Sequence, residues 1–389
     1  MMVHSGWRTG NKLTLLRNGA EFFPALLFAI ETAQFEIRLE TYIFEADEVG
    51  LNIANALMHA AQRGVNVGLL IDGFGAKNFP ADLRQRLQTA GVYFLFFRPE
   101  VSPFSVKKTR LRRLHRKLSC FDGRVAFVGG INILSDDDGE GLAPRYDYAV
   151  QVEGPVVSDI QQALARQWRY TSWVQLKKQL FKSFLRVQPP VVGDSLARLL
   201  VRDNARNRRT IEKSYIDAIQ AASSEVLIAN AYFLPGRRMR QALIKAAKRG
   251  VNVVLLLQDE RDHALLQYAS WAFYRQFLDA GIDIFQYKSG FMHAKVAVID
   301  GQWATVGSSN IDPFSLLLAR EADLVVQDES FAKQLRYDIR LHLQQDATQV
   351  VPEHIKNAGF ALRWLVWACY GLVRLLLGIT GYGGRKYLE

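Results

Sequence analysis

Residues 62–72, QRGVNVGLLID, return almost unchanged as KRGVNVVLLLQD at 248–259. A helix-like stretch precedes each copy, GLNIANALMHAA in the first and GRRMRQALIKAA in the second. Further upstream lie the strand candidates FEIRLETYIF (35–44) and SEVLIANAYF (224–233), and downstream AGVYFLF (90–96) answers AGIDIFQ (280–286). Blocks that recur in the same order mark a duplicated fold. Each half reads strand–helix–strand–helix–strand, an order that favours a parallel sheet with right-handed crossovers. Each half then ends in one unit, LHRKLSCFDGRVAFVGGIN (114–132) and MHAKVAVIDGQWATVGSSN (292–310), where Asp-Gly between apolar alternating runs predicts a hairpin. The expected fold class is α/β: two tandem repeats packed with pseudo-two-fold symmetry, with the active site at their interface.

Along a strand, residues two apart share a face. His115 therefore projects with Lys117, and His293 with Lys295; Asn132 and Asn310 follow each histidine by the same interval on the return strand. Brought together across a two-fold axis, these residues converge two imidazoles, two ammonium groups and two amides. Lysines and amides suit the non-bridging oxygens of a phosphate. Imidazoles suit nucleophilic attack and proton transfer near neutral pH.

The spacing His-x-Lys-x4-Asp, present twice with Gly and Asn following, resembles the phospholipase D superfamily, and the resemblance runs to about residue 350. Within it, HRKLSCFDGRVAFVGGINI, HAKVAVIDGQWATVGSSNIDPFS and NAYFLPG look like bacterial cardiolipin synthases, the B type most. The resemblance implies two phospholipase D-like halves and a phosphatidyltransferase that makes cardiolipin from phosphatidylglycerol and a second phospholipid. It implies a phosphatidyl group carried on His115, with His293 as proton donor, although the two motifs are nearly equivalent in sequence. Phospholipase D-type hydrolysis or nucleic-acid cleavage is the alternative within the superfamily. Neither a metal nor another cofactor is expected, because the lysines supply the positive charge. Asp122 and Asp300 belong to the catalytic motif by this resemblance, yet strand alternation sets them opposite the histidines, where they suit the turn. Asp147 and Glu321 are the carboxylates expected to orient the imidazoles. Ser308 offers a hydroxyl donor that Gly130 lacks in the first half.

The expected boundaries are 1–160 for the first half, 161–200 for a connecting segment, 201–350 for the second half and 351–389 for a membrane-associating tail. The connecting segment contains SWVQLKKQLFKSFLR (172–186), a basic amphipathic pattern. The tail contains FALRWLVWACYGLVRLLLGIT (360–380), interrupted by Arg363 and Arg374. A helix lying in the membrane interface and a helix docked on the core both fit it; a full span conflicts with the buried-arginine penalty of about 2.5–3.5 kcal/mol each. A formal charge of +11 calls for a polyanionic partner. Seven cationic residues fall between Lys107 and Lys117, just before the first histidine motif. Charge alone does not separate nucleic acid from an anionic membrane; the resemblance implies phosphatidylglycerol, phosphatidylethanolamine and cardiolipin, with no nucleic acid. No signal peptide is read at the N-terminus, so peripheral attachment at the cytoplasmic face of a bacterial inner membrane is expected. The oligomeric state is left open.

Overall fold

The computed structural model describes residues 6–98, 112–136, 143–175, 187–203, 207–259, 264–312, 319–351 and 360–379. The first half runs β1 (Arg8–Arg17), α1 (Asn18–Thr32), β2 (Glu36–Thr41), α2 (Glu48–Gln62), β3 (Asn66–Asp72), α3 (Ala81–Thr89) and β4 (Tyr93–Phe97). It continues through β5 (Lys117–Phe121), β6 (Val125–Gly129), β7 (Ala143–Tyr146), β8 (Tyr148–Glu153) and α4 (Val157–Val174). The second half opens with β9 (Ser195–Arg202), α5 (Thr210–Ala221), β10 (Glu225–Asn230), α6 (Arg237–Lys248), β11 (Asn252–Gln258), α7 (Ala264–Trp271), α8 (Tyr274–Leu278) and β12 (Asp283–Tyr287). It closes with β13 (Gly290–Met292), β14 (Lys295–Ile299), β15 (Trp303–Gly307), β16 (Glu321–Gln327), α9 (Glu329–Gln345), β17 (Ala347–Gln349) and α10 (Phe360–Ile379). The expected connecting segment 161–200 thus begins inside α4 and ends inside β9.

The strands form one sheet in the order β17-β12-β11-β10-β14-β15-β16-β9-β1-β8-β6-β5-β2-β3-β4. Read outward from the β9–β1 junction, the first seven strands of each half repeat each other in order, and β17 adds an outer edge to the second half. In each half the three strands of the predicted βαβαβ unit are parallel. The hairpin and the strands beyond it pair antiparallel, so the sheet is mixed rather than wholly parallel. Strands β2, β10 and β14 are buried along their whole length, because helices cover both faces. One core cluster draws Leu118, Val128 and Val150 from the first half and Leu227, Val296 and Leu324 from the second. The halves therefore share a hydrophobic core.

Both hairpins turn as the Asp-Gly pairs predict. Asp122 and Asp300 take positive φ, as do Gly123 and Gly301, and the chain closes with Arg124 N–H on Phe121 O and Gln302 N–H on Ile299 O. This is the two-residue turn whose twist matches the strands. The aspartate side chains are also committed. Asp122 accepts from the N–H groups of Gln34, Phe35 and Glu36, at 2.8 Å each. Asp300 accepts from the backbones of Ser223, Ser224 and Glu225 and from both serine hydroxyls. Each carboxylate caps the loop that enters β2 or β10. It stands a whole strand away from its histidine, roughly 20 Å at ~3.3 Å per residue. The grouping of Asp122 and Asp300 with the catalytic residues is therefore corrected: they build the hairpins and do not touch the reacting centre.

Burial pushes the Asp300 carboxyl up, but its donors outweigh that and hold it at about 2. A depressed pKa contributes stability above the ordinary carboxylate range, and the contribution disappears as pH falls toward 2. Asp300→Ala is expected to destabilise the fold by about 1–3 kcal/mol at pH 7. Denaturant unfolding should show that deficit shrinking between pH 5 and 2; a deficit that does not depend on pH would contradict the capping role.

Candidate active site

His115 and His293 sit just before β5 and β14, where their strands leave the sheet ladder and reach toward the other half. The ring centroids are 6.4 Å apart, nearly edge to face. Their backbones are fixed across the halves: His115 N–H donates to Arg320 O (2.9 Å) and His293 N–H to Tyr146 O (2.8 Å). The second contact extends the small parallel sheet made by β7 and β13. Each histidine therefore rests on the segment that leads into β16 or β8 of the opposite half.

The same exchange delivers the carboxylates. His115 Nδ1 lies 3.1 Å from Glu321 Oε2 and 3.2 Å from Ser308 O. His293 Nδ1 lies 2.7 Å from Asp147 Oδ2. The two carboxylates expected from sequence thus reach the imidazoles, each across the interface rather than within its own half. Both neighbours of His115 Nδ1 are acceptors, so the proton sits on Nδ1 and the lone pair on Nε2.

Lys117 and Lys295 are buried beside the histidines, and their ammonium groups donate to the carbonyl oxygens of His115 (2.7 Å) and His293. Asn132 and Asn310 are buried at the ends of the return strands. Asn132 Oδ1 accepts from Ile43 N–H, whereas Asn310 Oδ1 meets no hydrogen-bond partner among the described residues. Ser308 departs from expectation: its hydroxyl donates to Glu321 Oε2 at 2.6 Å, so it steadies a carboxylate instead of meeting substrate. Gly130 takes the matching place in the first half, where a Cβ would lie 2.3 Å from Asp147 Oδ1. Glycine there lets Asp147 approach. Of the basic run, residues 107–111 lie outside the described residues. Arg116 points away from the histidine and is buried against Glu40 Oε2 (2.7 Å) and Ala163 O (3.0 Å), so it is no solvated charge.

Three neighbours escaped the sequence reading. Tyr42 packs on His115 (centroids 4.8 Å) and Phe291 stacks on His293 (6.0 Å). Their counterparts in the repeat are Ala231 and Arg113, so only the departures from symmetry mark them. Asp323 stands on the buried face of β16 and accepts from Ser308 N–H and Ser309 N–H, fixing the segment whose carbonyl meets His115. The first half has Ala149 there, and no motif signals the difference.

Burial dominates the electrostatics. It depresses both imidazoles, and His293 further because Lys295 and Lys117 add to it. It lifts Asp147 to about 7 against the pull of the lysines, and Asp323 to about 8 with help from Glu321. Burial and the neighbouring Lys295 bring Lys117 down to about 7. A site in which two lysines crowd together, shielded from water, is built for an incoming anion. Among the described residues no group of His, Cys, Asp and Glu could hold a metal ion.

The family described as "Cardiolipin synthase, PLD-like domain" matches the chain twice, over residues 26–168 and 215–341. "Cardiolipin synthase B" of Salmonella typhimurium is 40% identical over 355 residues, covering 89% of this chain and 83% of that protein. The "Cardiolipin synthase" of Geobacillus thermodenitrificans is 31% identical over 336 residues, covering 83% of this chain and 65% of that protein. Among solved structures, the phosphatidylserine synthase of Haemophilus influenzae Rd KW20 is similar with a TM-score of 0.66 at 16% identity, covering 87% of both chains. At that identity the likeness concerns the fold.

Lys117 loses its charge and Asp147 gains one as pH rises through about 7. Both changes disfavour an anion. Sulfate, a dianion throughout, should bind at least about tenfold more weakly at pH 8.5 than at pH 6. Calorimetric titration reads this directly, and equal affinity at both pH values would contradict the electrostatic picture.

Proposed function

The chain belongs to the cardiolipin synthase family of phospholipase D-like proteins, and from that premise we propose that His115 and His293 divide a phosphatidyl transfer between them. The reaction is the synthesis of cardiolipin by a phospholipase D-type phosphatidyltransferase. The observation that carries the division of labour is the pair of rings 6.4 Å apart, each with Nδ1 taken by a carboxylate of the opposite half. Rings at that separation are close enough for one phosphoryl group to lie between them.

His115 is the nucleophile. Its Nδ1 proton is held by Glu321 and Ser308 O, and burial keeps the ring neutral, so the Nε2 lone pair attacks the donor phosphorus. The donor is phosphatidylglycerol or phosphatidylethanolamine. Its P–O bond breaks, and the departing alcohol takes a proton from His293. That proton is available because Asp147, lifted to about 7, keeps one extra proton on the His293–Asp147 pair near neutral pH. The terminal hydroxyl of a phosphatidylglycerol then gives its proton back to His293 and attacks the phosphohistidine, releasing cardiolipin and restoring His115. Lys117 and Lys295 stand against the phosphoryl oxygens, and Lys117 regains full charge when the anion arrives; Asn132 and Asn310 complete the cradle.

The lipid must come from a surface, and α10 provides a means of reaching one. A narrow seam of Val366, Cys369, Tyr370 and Val373 packs on the second half, along α7 and against Phe273. Trp364, 65% exposed, and Trp367, 58% exposed, turn outward beside Leu365, Leu372 and Leu375. Among the described residues no helix is long and apolar enough to cross a membrane. The docked and interfacial readings of the tail therefore combine: one seam holds the helix on the protein, while the tryptophan face meets the headgroup boundary. Peripheral attachment to the cytoplasmic face of a bacterial inner membrane is the placement we propose.

His115→Ala and His293→Ala should each abolish cardiolipin formation from phosphatidylglycerol vesicles, resolved by mass spectrometry. Substantial turnover in either folded variant would end the two-histidine scheme. Supplying phosphatidylethanolamine with phosphatidylglycerol identifies the donor, and cleavage of labelled DNA without cardiolipin formation would favour the nucleic-acid alternative. Trp364→Ser with Trp367→Ser should weaken vesicle sedimentation while sparing turnover of short-chain soluble lipid; equal loss of both would refute the interfacial role.

A further inference from the structure

The N–H immediately before each histidine is met by a side chain, not by the hairpin ladder. β5 begins only at Lys117 and β14 only at Lys295, so Leu114 and Met292 lie beyond the hairpin ladders. Both are fully buried, and an unmet N–H there would be costly. In each half one side chain meets it. Asp72 Oδ2 accepts from Leu114 N–H at 2.8 Å, and Gln258 Oε1 accepts from Met292 N–H at 2.7 Å. Asp72 and Gln258 are the last residues of β3 and β11, the same position of the repeat, and both are buried.

Their other bonds hold the acceptors still. Asp72 Oδ1 takes N–H groups from Phe74 (2.8 Å) and Gly75 (3.2 Å) and faces Arg113 Nη1 at 3.4 Å. Gln258 Nε2 donates to Gly290 O at 3.4 Å. The repeat preserves neither charge nor side-chain length at this position. It preserves an oxygen aimed at the peptide before the histidine.

We infer that Asp72 and Gln258 are positioning residues, each locking its own half's histidine segment while the opposite half locks the histidine's own N–H. The segment is then gripped on two sides, by Asp72 and Arg320 O at His115 and by Gln258 and Tyr146 O at His293. Each side chain acts on the peptide that precedes its histidine. Their effect is on the placement of the rings, where an error of about 1 Å can cost a hundredfold in rate.

The inference rests on the two-histidine reading above, and the test separates the two. Gln258→Leu keeps the bulk and removes the acceptor; Gln258→Glu keeps the acceptor. At unchanged melting temperature, Gln258→Leu should lower kcat about tenfold to hundredfold with KM within about threefold, and Gln258→Glu should recover most of the loss. Asp72→Leu and Asp72→Asn repeat the comparison at His115, and if Asp72→Leu does not fold the Gln258 pair decides alone. Amide hydrogen exchange at Met292 gives a reading that needs no turnover: protection should fall in Gln258→Leu and persist in Gln258→Glu. Wild-type kcat or wild-type protection in Gln258→Leu, or a glutamate no better than leucine, overturns the inference. If the wild-type protein itself transfers no phosphatidyl group, the functional reading falls, and exchange alone judges the clamp.

Discussion

Everything at the reacting centre depends on one exchange across the interface. Each half lends the other a backbone carbonyl for its histidine N–H and a carboxylate for its histidine Nδ1. Neither half alone holds an oriented imidazole. The duplication is therefore more than two copies of a module: the second copy supplies the groups that make the first chemically competent. A shared hydrophobic core keeps the exchange rigid, since displacing one half would remove apolar surface from both.

That rigidity supports an arrangement that burial makes unfavourable by itself. Lys117, both histidines, Asp147 and Asp323 sit out of water, and burial pulls their charges toward neutrality. Such sites retain stored electrostatic potential until an anion of suitable shape arrives. Hydrogen bonds to carbonyl oxygens keep the two ammonium groups in place meanwhile. The site's departures from symmetry are small and local. Ser308 faces Gly130 across the pseudo-two-fold, Glu321 faces Asp147, and Tyr42 and Phe291 cover opposite rings with unrelated geometry. These differences give two nearly identical motifs distinct surroundings.

A soluble-looking sheet and a lipid substrate are reconciled at the periphery. The docked seam of α10 uses only part of an apolar helix, and Trp364 and Trp367 remain exposed. Trp173, 76% exposed at the end of α4, adds an aromatic side chain on the first half. Large exposed apolar faces of this kind mark contact surfaces.

The sequence alone determined the duplication, the parallel βαβαβ units, the Asp-Gly turns and the pairing of His115 with Lys117 and His293 with Lys295, because all of these follow from local periodicity and turn chemistry repeated at matched positions. It also pointed to Asp147 and Glu321, downstream of the two hairpins. It left undecided whether each would serve its own histidine or the other, for spacing along a chain carries no information about which half a side chain crosses into. It misjudged Ser308, whose hydroxyl turns to Glu321, and Arg116, whose partners Glu40 and Ala163 lie far away along the chain, and it gave no sign of Asp72 and Gln258, which look like ordinary strand ends. Only the packing of the halves decided those roles: a buried polar group takes whatever partner the fold brings within 3 Å, and that distance is a property of tertiary structure.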